Sequence, residues 1–164
     1  MMRKYLKSSL RLLSFGLILA SLWACKDQHV VIGQDAPPVA VYDINGNQLT
    51  LDAFKGHPFL INFWSQNCGM CIVELRKFAA FHDKYPQPLR ILAVNIDGQS
   101  DKLKKFLAKE NYPFSVGIDQ IKITAGRYNL VGTPTTYYAD KNGKIQAKFE
   151  SIIPDEELEK LFKG

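Results

Sequence analysis

The 164-residue sequence predicts an α/β domain with a mixed central β-sheet flanked by helices, on three observations. Short apolar strands alternate with amphipathic helical segments from about residue 39 to the end. One strand, Phe59-Leu60-Ile61-Asn62-Phe63-Trp64, is almost continuously apolar, as in a strand covered on both faces. Two glycine-bearing turns, Asn45-Gly46-Asn47 and Asp140-Lys141-Asn142-Gly143, mark hairpins near the two ends of the domain. No internal repeat or low-complexity tract divides the chain, so one domain with an N-terminal appendage is expected.

In chain order, residues 1–24 have the pattern of a secretory signal. Arg3, Lys4, Lys7 and Arg11 precede an apolar run from Leu12 to Ala24 that is too short and too interrupted for the ~20 residues of a membrane span. Residues 25–34 are polar and read as a tether. Asp35-Ala36-Pro37-Pro38 favours extended backbone and opens a domain over 35–164. Val39 to Tyr42 and Gln48 to Leu51 form an expected N-terminal β-hairpin. The covered strand 59–64 follows, and then a helix with Cys71, Leu75, Phe78, Phe81 and Tyr85 on one face that ends before Pro86. Leu89 to Ile96 reads as a strand, Asp101 to Glu110 as a helix, Phe114 to Ile118 as a strand and Lys122 to Tyr128 as a short helix. Thr135 to Ala139 and Lys144 to Phe149 are strands about the second turn. Pro154 to Phe162 closes the chain as a helix with acids in its first turn and lysines toward its end.

The formal charge of +5 is misleading, because four of the 21 basic residues precede Cys25 and leave 17 against 16 acidic ones. A nearly neutral domain has no basic stripe with which to displace counterions from phosphates, so nucleic acid is not an expected partner.

The three cysteines divide into Cys25 at the signal boundary and the pair Cys68-Gly69-Met70-Cys71, placed where the covered strand gives way to a helix. A thiol at a helix start meets unpaired backbone N–H groups and the positive end of the helix dipole, which favour its thiolate. Cys68 is therefore the expected attacking thiol, and Cys71, on the buried face, the resolving one. Structural zinc is the main competing reading, since this spacing is half of a zinc knuckle. His29, His57 and His82 are too scattered to supply the other half, so no metal is expected. A purely structural bridge over so short a loop gains little stability.

Phe63-Trp64 ahead of the cysteine pair and Gly132-Thr133-Pro134-Thr135-Thr136 downstream resemble the thioredoxin-like proteins of the TlpA/ResA type in the AhpC/TSA-like superfamily. The resemblance runs from about Gly33 to the end and includes Ala36-Pro37, Asp43-Ile44-Asn45-Gly46, Gly56, Asp140 and Gly143. It implies a thioredoxin-like fold, a cis peptide before Pro134 against the active cysteines, and a substrate-facing surface at Thr133, Pro134 and Trp64. It also places Glu74 at the position of an active-site glutamate, where it would tune the thiols; the bland alternative is an exposed helix acid beside Lys77. Asn62 stands where thioredoxin carries a buried aspartate. Met70 and Asn67 depart from the proline and tryptophan common at their positions, and Arg76 from a proline. Leu22-Trp23-Ala24-Cys25 resembles the lipobox of bacterial lipoproteins, which implies lipidation of Cys25; Trp23 departs from the usual small residues, and ordinary cleavage near Ala24 is the alternative.

Together these readings predict a lipid-anchored, monomeric thiol-disulfide oxidoreductase outside the cytoplasm, in the periplasm or on the outer face of the membrane, without a cofactor. By resemblance its partners are dithiol or disulfide proteins, such as apocytochrome c, and a membrane thiol carrier that supplies electrons. The competing functions are a disulfide oxidant or isomerase, a Cu(I) carrier using two thiolates and Met70, and a thiol peroxidase.

Overall fold

The computed structural model describes residues 29–85 and 89–164. The signal segment, Cys25, the first part of the tether and Pro86 lie outside the described residues.

Seven strands form one sheet: β1 (Val41–Tyr42), β2 (Gln48–Leu49), β3 (Phe59–Trp64), β4 (Arg90–Asn95), β5 (Ser115–Ile118), β6 (Thr135–Ala139) and β7 (Ile145–Phe149). Their spatial order is β2-β1-β5-β4-β3-β6-β7, with β3, β4 and β5 mutually parallel and the β1–β5, β1–β2, β3–β6 and β6–β7 pairs antiparallel. Among the described residues the α-helices are α1 (Gly69–Lys84), α2 (Asp101–Glu110), α3 (Ile123–Arg127) and α4 (Asp155–Lys163). This is the expected mixed sheet flanked by helices, and the N-terminal hairpin extends it at the β5 edge.

Every residue of β3 is buried, and the strand's period of two sorts them between two cores. Leu60 and Trp64 join Leu75 and Phe78 of α1, Leu103 of α2, and Leu158 and Phe162 of α4. Phe59, Ile61 and Phe63 join Val41, Leu92, Val94, Tyr128 and Tyr137 on the opposite face. By alternation Asn62 belongs to the face of Leu60 and Trp64, and so meets α1.

Several boundaries differ from the pattern-based expectation. Ala40 donates its N–H to Thr124 Oγ1 at 2.8 Å rather than to a ladder, so β1 starts at Val41. Leu51, expected in a strand, opens a 3-10 turn over Leu51–Phe54, which lets Phe54 bury against Phe59 with ring centroids 5.4 Å apart. Phe114 stacks on Tyr112 instead of entering β5. The later part of the expected tether is also bonded to the domain. Val30 donates to the carbonyl of Arg127, Gly33 donates to that of Ile145, and Ile145 donates to that of Gln34. Val30 supplies apolar surface to the second core, and residues 30–34 therefore belong to the folded unit.

Candidate active site

The parallel strands β3 and β4 end side by side at Trp64 and Asn95. The chain then turns through Ser65, Gln66 and Asn67 into α1, whose N-cap is Cys68. Cys68 is partly exposed, whereas Cys71, one turn on, is wholly buried. Their sulfurs are joined in a disulfide, with Cα atoms 5.2 Å apart. Cys68 Sγ accepts the Cys71 backbone N–H at 3.1 Å, the cap interaction that satisfies an otherwise free helix donor. No acid occupies the first turn of α1, so nothing there opposes the positive dipole end.

Across from the sulfur lies the loop before β6. The Thr133–Pro134 peptide is cis, as the resemblance implies, and the Thr133 carbonyl is 3.6 Å from Cys68 Sγ. Thr133 is partly exposed and Pro134 buried. Met70, Val73 and Val131 present exposed apolar side chains on α1 and on the approach to Thr133.

Trp64 requires a correction. Its ring is wholly buried and packs on Phe106, with centroids 5.9 Å apart, so it has no surface to offer a substrate. The strand alternation that aims Leu60 inward aims Trp64 inward too, into the core cluster against which Cys68 packs.

Glu74 is not the exposed helix acid of the bland reading. It is fully buried. Glu74 Oε1 accepts the Ile153 N–H at 2.9 Å, and Oε2 accepts from Asn62 Nδ2 at 2.8 Å. Asn62 Nδ2 also donates to Thr136 Oγ1 at 2.8 Å. Lys77 holds the same connection from the other side, donating to the Ile153 carbonyl at 3.0 Å. Burial pushes the Glu74 carboxyl above the usual carboxylate range, against the opposing pull of the Ile153 and Asn62 hydrogen bonds and of Lys77. Glu74 thus lies one helical turn past Cys71 with its carboxyl inside the fold rather than in solvent.

Sequence reasoning missed the residues that hold the cysteine loop. Asp97, just past the end of β4, accepts from Ser65 Oγ at 2.8 Å and from the Gln66 N–H at 2.5 Å. Their only sequence signal is Asp97 itself, a polar residue immediately beyond the carboxyl end of an apolar strand, where sites in α/β sheets gather. Arg76, without a role in the sequence reading, forms a two-pronged ion pair with Glu110, at 2.9 and 2.7 Å, that joins α1 to the end of α2. Among the described residues, no three His, Cys, Asp or Glu side chains gather as a metal site.

Comparison with known proteins agrees with this geometry. The model of the AhpC/TSA family matches residues 32–148. The thiol-disulfide oxidoreductase ResA of Bacillus anthracis is 30% identical over 131 residues, covering 79% of this chain and 74% of that protein. The thioredoxin-like protein YneN of Bacillus subtilis is 28% identical over 165 residues, covering 97% and 96%. Among solved structures, the thioredoxin domain of a thiol-disulfide oxidoreductase from Bacteroides vulgatus superposes with a TM-score of 0.71 at 25% identity, covering 82% of this chain and 97% of that one. A DsbE-like thiol:disulfide interchange protein from Chlorobium tepidum gives 0.68 at 26%, covering 80% and 95%. Fold, cysteine placement and kinship agree: the chain belongs to the AhpC/TSA family and is a thioredoxin-like thiol-disulfide oxidoreductase of the ResA/TlpA type.

Proposed function

We propose that the protein is a membrane-tethered reductant of disulfides in exported proteins, with Cys68 as the attacking thiol and Cys71 as the resolving thiol. The observation that carries this reading is the asymmetry of the pair: Cys68 is partly exposed at a helix N-terminus and beside the Thr133 carbonyl, and Cys71 is sealed beneath it. In the reduced protein the Cys68 thiolate attacks one sulfur of a client disulfide, forming a mixed disulfide and releasing the other client sulfur as a thiolate. Cys71 then gives up its proton, with Glu74 as the nearby acceptor, and attacks Cys68 Sγ. The mixed disulfide breaks, the second client thiolate leaves, and two electrons have passed from the dithiol to the client. A membrane thiol carrier reduces the Cys68–Cys71 bridge again.

Thr133 is the backbone partner for the client chain. Its neighbour Pro134 holds that peptide against the sulfur, and Met70, Val73 and Val131 offer apolar contact around it. Lipidation of Cys25 is the proposed tether, and an apocytochrome c with a cysteine pair awaiting haem is the proposed client class.

The test is the equilibrium redox potential of the Cys68–Cys71 couple in glutathione and dithiothreitol buffers. A value near that of thioredoxin, about −270 mV, supports a reductant; a value near −120 mV makes the protein an oxidant. Absence of a reversible two-electron couple overturns the assignment of these cysteines.

A further inference from the structure

Residues 65–67 between β3 and α1 carry Cys68 to its position at the helix cap, and three successive amides of that stretch, at Gln66, Asn67 and Cys68, need acceptors. The Gln66 N–H is bonded to Asp97 Oδ2 at 2.5 Å. The Asn67 N–H is bonded to Ser65 Oγ at 3.2 Å, and the same hydroxyl spends its only proton on Asp97 Oδ1 at 2.8 Å. The Cys68 N–H closes the turn on the Ser65 carbonyl at 3.2 Å. One carboxylate therefore organises two of the three amides, Gln66 directly and Asn67 through the Ser65 hydroxyl. Asp97 is itself held: its N–H donates to Asn95 Oδ1 at 3.0 Å, its Oδ2 accepts from Asn95 Nδ2 at 3.3 Å, and Asn95 is wholly buried.

We propose that Asp97 is a positioning residue for the reaction, setting the place of Cys68 Sγ through the Ser65 hydroxyl and the Gln66 amide. The proposal rests on Cys68 being the attacking thiol. Hydrogen bonds to an ionised acceptor are among the stronger ones in proteins, and two of them converge on a turn of three residues. Without the carboxylate the Ser65 hydroxyl is free to rotate, the Asn67 amide loses an oriented acceptor, and the loop no longer has a single geometry. Thiol-disulfide exchange needs the attacking sulfur aligned with the client's sulfur pair, and a shift of about 1 Å in such an arrangement slows a reaction by as much as a hundredfold. The far side of the loop has weaker support: Gln66 Nε2 donates to the Lys102 carbonyl at 3.2 Å, and Lys102 Nζ donates to Asn67 Oδ1 at 3.3 Å.

The test compares the full chain in detergent with its Asp97→Ala, Ser65→Ala and doubly substituted forms. The rate of Cys68 alkylation by iodoacetamide in the reduced protein is located by mass mapping. The kcat and KM for reduction of insulin disulfides are measured with dithiothreitol as electron source. Asp97→Ala is expected to lower kcat ten- to a hundredfold while KM changes by less than about threefold, and to slow alkylation. Because Ser65 and Asp97 act along one path, the double variant is expected to be no slower than Asp97→Ala alone. Wild-type alkylation and kcat in Asp97→Ala overturn the proposal, as does a double variant whose defect is the product of the single ones. A lowered unfolding midpoint with unchanged kcat shows a merely structural residue and overturns it equally. If Asp97→Ala does not fold, Ser65→Ala decides by the same readouts. Faster alkylation of Cys71 than of Cys68 in the unsubstituted protein instead removes the assignment of the attacking thiol, a separate failure.

Discussion

At the scale of single residues, burial distinguishes the two sulfurs, Cys68 partly exposed and Cys71 enclosed, and the proposed division of roles follows that difference. Cys71→Ser is expected to halt the reaction at the mixed disulfide, leaving Cys68 bound to a client. A covalent adduct on non-reducing gels that disappears with dithiothreitol checks this, and Cys68→Ser is expected to give neither adduct nor turnover. Glu74 makes a prediction of its own. Its folded carboxyl lies above the usual range because burial disfavours the charge. The folded protein therefore holds this proton more tightly than the unfolded chain. Its contribution to stability is complete below the ordinary carboxylate value and is lost as pH rises through the folded value. Glu74→Gln removes that dependence, so the stability advantage of the wild type over the variant is expected to shrink as pH rises, as read from urea midpoints at several pH values. The same residue shows the limit of reading a helix from its pattern. Glu74 stands among residues of a helix next to the buried position Leu75, but whether it meets solvent or Asn62 depends on which face of β3 lies opposite.

At the scale of elements, two contacts decide how the pieces fit. Gly117 of β5 faces β1 so closely that a Cβ there would stand 2.6 Å from Val41 Cγ2 and 3.0 Å from Val41 Cβ. Gly117→Ala is expected to push the N-terminal hairpin away from the sheet and to destabilise the domain by about 1–3 kcal/mol, measurable by urea denaturation. The start of α2 depends on Ser100, whose Oγ accepts the Leu103 N–H at 3.1 Å while Leu103 anchors the helix in the core. Ser100→Ala is expected to cost about 1 kcal/mol by the same measurement, with little effect on the cysteine pair. Strands 59–64 and 135–139 and helix 101–110 were legible as elements because each carries a strong period and clear punctuation. The 3-10 turn at Leu51–Phe54 was not, since its cause is the burial of Phe54 against Phe59, a contact made across the tertiary fold.

At the scale of the whole molecule, the entry segment is part of the folded unit. Tyr128 donates its hydroxyl proton to the Pro37 carbonyl at 2.7 Å, and Tyr137 donates to the Tyr128 carbonyl at 2.6 Å. These bonds tie Ala36-Pro37 through α3 to β6, the strand that follows the Thr133–Pro134 peptide. The entry that helps identify the family in sequence is thus joined to the strand that supports the active site. The proposed attachment to a membrane is also a property of this scale. If Cys25 carries lipid, the full chain produced in a bacterium that lipidates exported proteins is expected to partition into the detergent phase of a Triton X-114 separation, and Cys25→Ala to move it to the aqueous phase. Equal partitioning of the two would remove the proposed tether.

The sequence by itself determined the order of strands and helices, the pairing of Cys68 with Cys71 at a strand-to-helix junction, and the kinship that implied a cis peptide before Pro134. These are local properties, set by hydrophobic period, by turn chemistry and by residues at short spacing. Only the tertiary structure decided that Trp64 is buried, that Glu74 is enclosed by Asn62 and Ile153, and that Asp97 holds the loop before Cys68. The polar partners in these contacts stand 12 to 79 residues apart in the chain. Which partner a side chain meets is set by strand register and by the face a helix turns to the sheet, and neither is written in any single segment.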